Sequence, residues 1–216
     1  GKREKALQII ANLERLRWKP ETKTERFIVV NIPSAMLWAI EGGQVALEMP
    51  VFVGKPTRQT QIFITDVDGV RINPDWTVPP TIKREDIFPA AMNDPNYLND
   101  KGIEIYSGYG ADAQSLDPSS IPWDELSNND LHGLRMVQPP GAYNPLGRFR
   151  VLMENKYNIY LHDTNEKRLF NSEQRAMSSG CIRMSDPQKM TEFILKGTKW
   201  GPEEIQKILN SGRKRD

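Results

Sequence analysis

Short apolar segments, separated by glycine, proline and aspartate, dominate the first third of the chain. The segments are residues 27–32, 35–40, 44–53, 60–66 and 70–72. Hairpin-type turns separate two of the pairs, at Glu41-Gly42-Gly43 and at Asp68-Gly69. Segments of this length are typical of strands, so the pattern predicts a mainly β fold of the sandwich or barrel type.

Helical patterns flank this β-rich part, which makes the expected class α+β. Over residues 2–18 the apolar side chains of Leu7, Ile10, Leu13 and Leu16 recur at three-residue steps, and Pro20 ends the helix. We expect this stripe to dock on the domain that follows, or alternatively on a helix of an upstream domain. Shorter helices are predicted over residues 82–88, 187–195 and 202–209.

These elements predict three units along the chain. Residues 1–20 form a linker helix, residues 21–200 form the main domain, and residues 201–216 form a C-terminal helix with a basic tail. Within the main domain, residues 91–135 are the least regular stretch. Long irregular stretches in compact domains are typical of lids and binding loops, although a mobile surface loop is an equally good interpretation.

Composition narrows the function classes. The 216 residues carry a net charge of +1, which gives no reason to expect a nucleic-acid partner or a membrane surface. No apolar run reaches the roughly 18 residues that a membrane-spanning helix needs. One cysteine and two histidines do not make a convincing zinc site, so we expect no metal and no cofactor. The chain starts with Gly-Lys-Arg rather than Met, and we expect a fragment or a processed form.

The single cysteine lies close in sequence to one of the two histidines. Cys181 follows His162 by 181 − 162 = 19 residues. A lone thiol near a histidine is a candidate nucleophile–base pair, because a thiol needs a proton acceptor to become a thiolate. The small residues before it allow a tight turn, in which the N–H groups of Ser179, Gly180 and Cys181 would form an oxyanion hole. The alternative is a buried cysteine that only packs.

Strand alternation assigns roles to the neighbours of this pair. Tyr160 and His162 share a face, so Tyr160 is either a substrate contact or an ordinary strand residue. Asp163 points the other way and is not expected to complete a triad, whereas a backbone carbonyl would orient His162 equally well. Arg183 shares the face of Cys181, where a guanidinium binds a substrate carboxylate or forms a structural salt bridge.

Two further residues have alternative interpretations. Trp76, between Asn73-Pro74 and Pro79-Pro80, is either one wall of a substrate groove or an anchor of its loop. His132 is interpreted as a surface histidine.

The segment around Cys181 resembles the active-site signature of the L,D-transpeptidases, the YkuD-type catalytic domain. The motif consists of His162 and residues 178–183. Further segments match in the same order, at residues 53–60, 72–80, 138–141 and 146–148. The resemblance extends from Phe27 to Trp200 and is strongest to the YcbB-like branch of Gram-negative bacteria. Ser179 replaces the usual histidine and Arg183 the usual asparagine, which leaves His162 as the only motif histidine able to act as the base.

The resemblance implies an L,D-transpeptidase-type β-sandwich in which residues 91–135 form a lid-like capping insertion over the site. It implies that Cys181 attacks a peptidoglycan tetrapeptide stem, between diaminopimelate and the terminal D-Ala, and forms a thioester. Transfer to the side-chain amine of a second diaminopimelate would give 3→3 cross-links for cell-wall biogenesis and cell shape, in the periplasm. Family members are also acylated by carbapenems through this cysteine.

Three alternatives to cross-linking remain. Water as the acceptor would make the site an L,D-carboxypeptidase, and a lipoprotein lysine would attach that protein to the wall. A non-catalytic wall-binding module, in which Cys181 only packs, belongs to a different class. Fast alkylation of the thiol near pH 7 would exclude the packing cysteine, and product analysis would identify the acceptor.

Overall fold

The computed structural model describes residues 1–17, 24–94 and 96–216. Its strands are β1 Arg26–Asn31, β2 Met36–Glu41, β3 Gln44–Gly54, β4 Gly69–Ile72, β5 Trp76–Thr77, β6 Glu104–Tyr106, β7 Ser115–Leu116, β8 Arg135–Gln138, β9 Phe149–Leu152, β10 Leu161–His162, β11 Ala176–Ser178 and β12 Ile182–Met184. Its α-helices are α1 Lys2–Arg17, α2 Pro80–Ile82, α3 Phe88–Asn93, α4 Tyr97–Lys101, α5 Asn128–Gly133, α6 Pro187–Leu195 and α7 Pro202–Ser211. A π-helical segment, Lys83–Ile87, joins α2 to α3, and short 3₁₀ turns lie at Pro118–Ser120 and Lys167–Asn171.

The large sheet carries the main core. Its strands follow the order β1-β2-β3-β12-β10-β9-β4, with β11 paired to β3. Two of its pairings are parallel, β10 with β12 and β11 with β3, and the others are antiparallel. Buried side chains such as Leu37, Val51, Val151 and Met184 pack together with Met190 of α6. At the β4 end, Ile205 and Leu209 of α7 complete a second cluster. The predicted mainly β, α+β class is confirmed.

The small sheet has a core of its own. Its strands follow the order β5-β8-β6-β7, and its buried cluster includes Ile87, Leu98, Ile105, Trp123 and Met136. This unit spans residues 76–138, so it begins before and ends after the predicted insertion of residues 91–135. The irregular sequence therefore conceals a packed unit, which we call the insertion.

A buried lysine holds two helical segments of the insertion together. Lys83 is 2% exposed, and its ammonium donates hydrogen bonds to the carbonyls of Leu131 and Leu134, at the end of α5. Burial lowers the pKa of this ammonium. The lysine supplies a side-chain donor to both helix-terminal carbonyls, of which that of Leu131 also accepts the N–H of Leu134.

Helix α1 forms where the periodicity predicts it, but the predicted docking on the main domain is not observed. Leu7, Ile9, Ile10, Leu13 and Leu16 are 58–64% exposed, and no residue of the helix is buried. None of the residues in the described ranges covers the apolar stripe. Trp18 and Pro20 lie outside those ranges.

The predicted strand over residues 60–66 is wrong. Residues 59–68 contain neither strand nor helix. The hydroxyl of Thr60 instead bonds to the backbone of Gly54 and Gly180, at 2.8 and 2.7 Å. Phe63 packs on the main core while Ile62 and Ile64 are exposed, so an alternating pattern exists without a ladder of backbone hydrogen bonds.

Candidate active site

Sheet pairing brings the sequence-predicted cysteine and histidine to adjacent strands. Strand β12 runs parallel to β10, with Leu161 opposite Ile182 and His162 opposite Arg183. The N–H of Ile182 donates to the carbonyl of Tyr160 at 2.8 Å. Cys181 precedes Ile182, so this register sets it beside Tyr160, two residues before His162 along the neighbouring strand. The structure therefore places Cys181, His162, Tyr160 and Arg183 in one neighbourhood.

Side-chain hydrogen bonds lock the turn that carries the thiol, residues 178–181, which we call the Cys181 turn. The Ser178 hydroxyl donates to the carbonyl of Cys181 at 2.6 Å and accepts the N–H of Gly180 at 3.1 Å. The Thr60 hydroxyl donates to the carbonyl of Gly180. Gly180 itself has φ +114°, a backbone conformation that residues other than glycine rarely adopt.

These bonds bear on the predicted oxyanion hole, which stays a prediction. The N–H of Gly180 is already engaged by Ser178, so it is not free to bind an oxyanion. The N–H groups of Ser179 and Cys181 donate to no residue that the structure describes. Two of the three predicted donors therefore remain, on either side of Gly180.

A backbone carbonyl orients the candidate base. His162 is 4% exposed, and its Nδ1 lies 2.5 Å from the carbonyl oxygen of Asp163. Because a carbonyl can only accept, Nδ1 carries the proton and Nε2 keeps the lone pair.

The Asp163 carboxylate has other partners. It accepts the N–H groups of Arg148 and Thr164, at 2.8 and 2.7 Å. This agrees with the strand-alternation argument that Asp163 does not complete a triad through its side chain.

Electrostatics keep both groups neutral at rest. Burial, the nearby Arg183 and, more weakly, Arg150 lower the pKa of His162 to about 3, against the opposing effect of the Asp163 carbonyl. Burial raises the pKa of the Cys181 thiol, and the Tyr160 backbone, Arg150 and Arg183 offset part of that rise. The resting pair is a thiol and an imidazole rather than an ion pair.

The low pKa of His162 predicts acid sensitivity of the fold. Between an unfolded pKa near 6.5 and a folded pKa of about 3, only the unfolded state binds the extra proton. The free energy of unfolding should therefore fall as the pH drops through this window, with His162 adding a slope of up to about 1.4 kcal/mol per pH unit. Chemical denaturation at several pH values would measure the slope. His162→Gln should reduce it and exposed His132→Gln should not; equal slopes in the two variants would contradict the assignment.

Three predicted substrate-contact residues have structural partners. The Arg183 guanidinium donates to the Glu166 carboxylate at 2.7 Å, which is the salt-bridge alternative. The ring of Tyr160 lies beneath the Arg150 guanidinium, 3.8 Å from centroid to carbon. Trp76 packs against the insertion core, as a loop anchor does. Their roles toward substrate stay predictions.

Sequence reasoning missed Arg58, which connects the Cys181 turn to the insertion. Its guanidinium donates to the Ser179 hydroxyl at 2.9 Å. The same guanidinium bonds to the carboxylates of Glu85 and Asp86, at 2.7 and 2.6 Å. The only available signal was the match of residues 53–60 to the family pattern, which names no partner for the arginine.

Sequence reasoning also missed Asn158. This residue adopts a left-handed conformation, φ +54°, and its carbonyl lies 3.7 Å from the Cys181 sulfur. Conformations of this kind are uncommon outside glycine and concentrate at functional sites.

Gly147 accommodates the buried carboxylate next to the base. It has φ +59°, and a Cβ added there would lie 2.4 Å from the Asp163 carboxylate. Gly147→Ala should therefore destabilise the fold by about 2–5 kcal/mol, from the left-handed backbone and the overlap together. Gly197→Ala is the matched control, since Gly197 has φ +83° with nothing within 4 Å, and should cost only about 1–2 kcal/mol. Equal losses in urea denaturation would show that the contact with Asp163 does not matter.

Two absences among the described residues complete the description. Across residues 1–17, 24–94 and 96–216, no helix combines the length and the apolar character needed to cross a bilayer. The same residues contain no cluster of three or more His, Cys, Asp or Glu side chains arranged to hold a metal ion.

Comparison with known proteins identifies the family. The family model of the YkuD L,D-transpeptidase catalytic domain matches residues 25–205. A Haemophilus influenzae protein, provisionally named an L,D-transpeptidase, is 32% identical over 204 residues, which are 94% of this chain and 40% of that protein. The chain thus spans less than half the length of this relative.

Two solved structures were also matched. The Ldtfm-avibactam carbamoyl enzyme matches at 15% identity and a TM-score of 0.42, over 81% of this chain and 47% of that one. An L,D-transpeptidase from Mycobacterium smegmatis matches at 14% identity and a TM-score of 0.36, over 78% of this chain and 53% of that one. With the family model covering most of the chain, the protein belongs to the L,D-transpeptidase catalytic domain (YkuD) family, a family of cysteine-dependent acyltransferases.

Proposed function

We propose that this chain is a peptidoglycan L,D-transpeptidase that forms 3→3 cross-links through a Cys181 thioester. The observation that carries the proposal is the pairing of β10 with β12, which sets the only cysteine beside the strand of a histidine whose Nδ1 is fixed by a carbonyl. A packing cysteine has no need for an oriented histidine or for a turn with two unengaged N–H groups.

In the first half-reaction, the Cys181 thiol attacks the carbonyl of diaminopimelate at the bond to the terminal D-Ala. His162 accepts the thiol proton on Nε2 as the C–S bond forms. The N–H groups of Ser179 and Cys181 stabilise the oxyanion, and each such donor is typically worth about 10²–10³ in rate. The imidazolium then protonates the leaving amine, D-Ala departs, and the thioester remains.

In the second half-reaction, a side-chain amine of another stem attacks the thioester. Neutral His162 takes the proton from the amine, the C–N bond forms, and the proton returns to the departing sulfur. The imidazole is neutral again after each transfer, so the same group serves both half-reactions.

Product analysis tests the proposal. The protein is incubated with a disaccharide-tetrapeptide, and the products are separated and identified by mass spectrometry. We expect a dimer linked between two diaminopimelate residues, together with free D-Ala. A tripeptide product alone would indicate an L,D-carboxypeptidase, and linkage to an added lipoprotein lysine would indicate protein attachment. No product from any acceptor, with an intact fold, would favour a wall-binding module.

The proposal extends to where the reaction takes place and what inhibits it. The stem peptides are the partner, so we place the reaction in the periplasm of a Gram-negative bacterium, where the peptidoglycan lies. An activated Cys181 would also react with carbapenems.

A further inference from the structure

Four charged or titratable side chains form one row across the large sheet. Arg71 lies opposite Arg150, Arg150 opposite His162, and His162 opposite Arg183. Residues directly opposite each other in paired strands point to the same face of the sheet. The candidate base therefore lies between two guanidiniums, with a third beyond Arg150.

The two outer guanidiniums have carboxylate partners. Arg71 forms a bidentate pair with Asp216, at 2.5 and 2.6 Å, and Arg183 pairs with Glu166 at 2.7 Å. The Arg150 guanidinium makes no hydrogen bond to any residue in the described ranges, and its Nε is buried without a partner. Asp216 is the carboxylate that interacts with Arg150 through space, but its oxygens bond to Arg71. The middle arginine thus keeps its donors free.

Arg150 is held in place by a neutral contact. Its guanidinium stacks over the Tyr160 ring at 3.8 Å, and the register sets Tyr160 beside Cys181. Stacking leaves the in-plane N–H donors of a guanidinium unused, and their fork geometry matches a carboxylate. The positive charge of Arg150 also lowers the pKa of both Cys181 and His162 through space. An unpaired, oriented cation next to the reacting sulfur suits an anionic group close to the scissile bond.

We propose that Arg150 binds the terminal carboxylate of the acyl donor and so selects stems that end one residue after the scissile bond. This inference rests on the proposed function. In a tetrapeptide stem, the D-Ala carboxylate is only two bonds from the nitrogen that leaves. In a longer stem that group is a neutral amide, which cannot form a bidentate ion pair with a guanidinium. The side-chain carboxylate of diaminopimelate lies several flexible bonds away, which makes it the less suitable partner.

Ligand binding to an inactive variant tests the assignment without turnover. In the Cys181→Ala background, calorimetry compares the tetrapeptide with its C-terminal amide. We expect the amide to bind about 10- to 100-fold more weakly, as for a lost charge-assisted hydrogen-bond pair. Adding Arg150→Met should weaken the binding of the tetrapeptide by the same factor and abolish the discrimination between the two ligands. Arg150→Lys should keep part of that discrimination. Arg135→Met is the matched control, because the Arg135 guanidinium also stacks on a tyrosine ring, that of Tyr106 at 4.4 Å, but lies in the insertion; it should leave the discrimination intact.

The outcomes separate this inference from the proposed function. The role of Arg150 would be overturned if Arg150→Met still bound the tetrapeptide more tightly than its amide, or if it weakened the binding of both ligands equally. A third ligand is a tetrapeptide amidated on the diaminopimelate side chain. If only this ligand binds more weakly than the tetrapeptide, and the difference disappears in Arg150→Met, Arg150 binds the side-chain carboxylate and the choice of the terminal carboxylate is overturned. If the wild type makes no cross-link although Arg150 discriminates, the proposed function fails and the binding role stands. Thermal unfolding of each variant checks the fold, and Arg150→Lys keeps the charge if the methionine variant does not fold.

Discussion

Replacing Cys181 with alanine is expected to reduce acyl transfer from the tetrapeptide to background, a loss of about 10⁴-fold or more. The turn around the sulfur is held by Ser178 and Thr60, and the Cys181 side chain contributes to none of those bonds. The fold should therefore survive the loss of the thiol. The measurements are the rate of dimer formation and the intact mass after incubation with a carbapenem, where the wild type gains one adduct and the variant none.

Cys181→Ser is the informative companion. The serine variant supplies a hydroxyl in place of the thiol, but a neutral imidazole with a pKa of about 3 is too weak a base to activate an alcohol efficiently. We expect the serine variant to stay near background as well. Substantial transfer by either variant, or a stoichiometric adduct on the alanine variant, would rule out Cys181 as the nucleophile.

Replacing His162 with glutamine is expected to slow turnover by about 10²–10⁴-fold, the usual contribution of a general base. A glutamine amide can keep a hydrogen bond to the Asp163 carbonyl, but it has no lone pair that accepts a proton near neutral pH. The loss should appear in kcat rather than in KM, because the imidazole acts on the proton and not on the bound stem.

The second histidine provides the control for this experiment. His132 is exposed on α5, within the insertion, so His132→Gln should keep the wild-type rate. If His162→Gln retained full activity, another group would have to accept the thiol proton. If both variants lost activity equally, the effect would not be specific to the site.

The parts of this site that depend on local sequence were predictable. A small-residue turn before a lone cysteine, and strand alternation around His162, were sufficient to predict the candidate pair and that the Asp163 side chain would not complete a triad. The observed carbonyl contact to His162 follows the same logic. The helices over residues 187–195 and 202–209 were also predictable, because an aspartate N-cap in the first and prolines at the start of both are local signals.

The parts of the site that depend on sheet register could not be predicted from the sequence. Arg150 lies opposite His162 only because β9 pairs with β10 at that position, and no local pattern gives a pairing between strands distant in sequence. The engagement of the Gly180 N–H by Ser178 depends on a rotamer, which residue types do not specify. The insertion core was hidden for a similar reason, since its small strands are too short to show alternation.

The bonds of Arg58 have a consequence for how the two cores share stability. One guanidinium donates to the Ser179 hydroxyl and to the carboxylates of Glu85 and Asp86, which lie in the π-helical segment of the insertion. Where the state of the Ser179 end alters the stability of the carboxylate end, linkage requires the reverse effect to have the same magnitude. An acyl group seated on the Ser179 amide should therefore protect the backbone amides of residues 83–87 from hydrogen exchange, and a change at Glu85 should alter how long that acyl group persists.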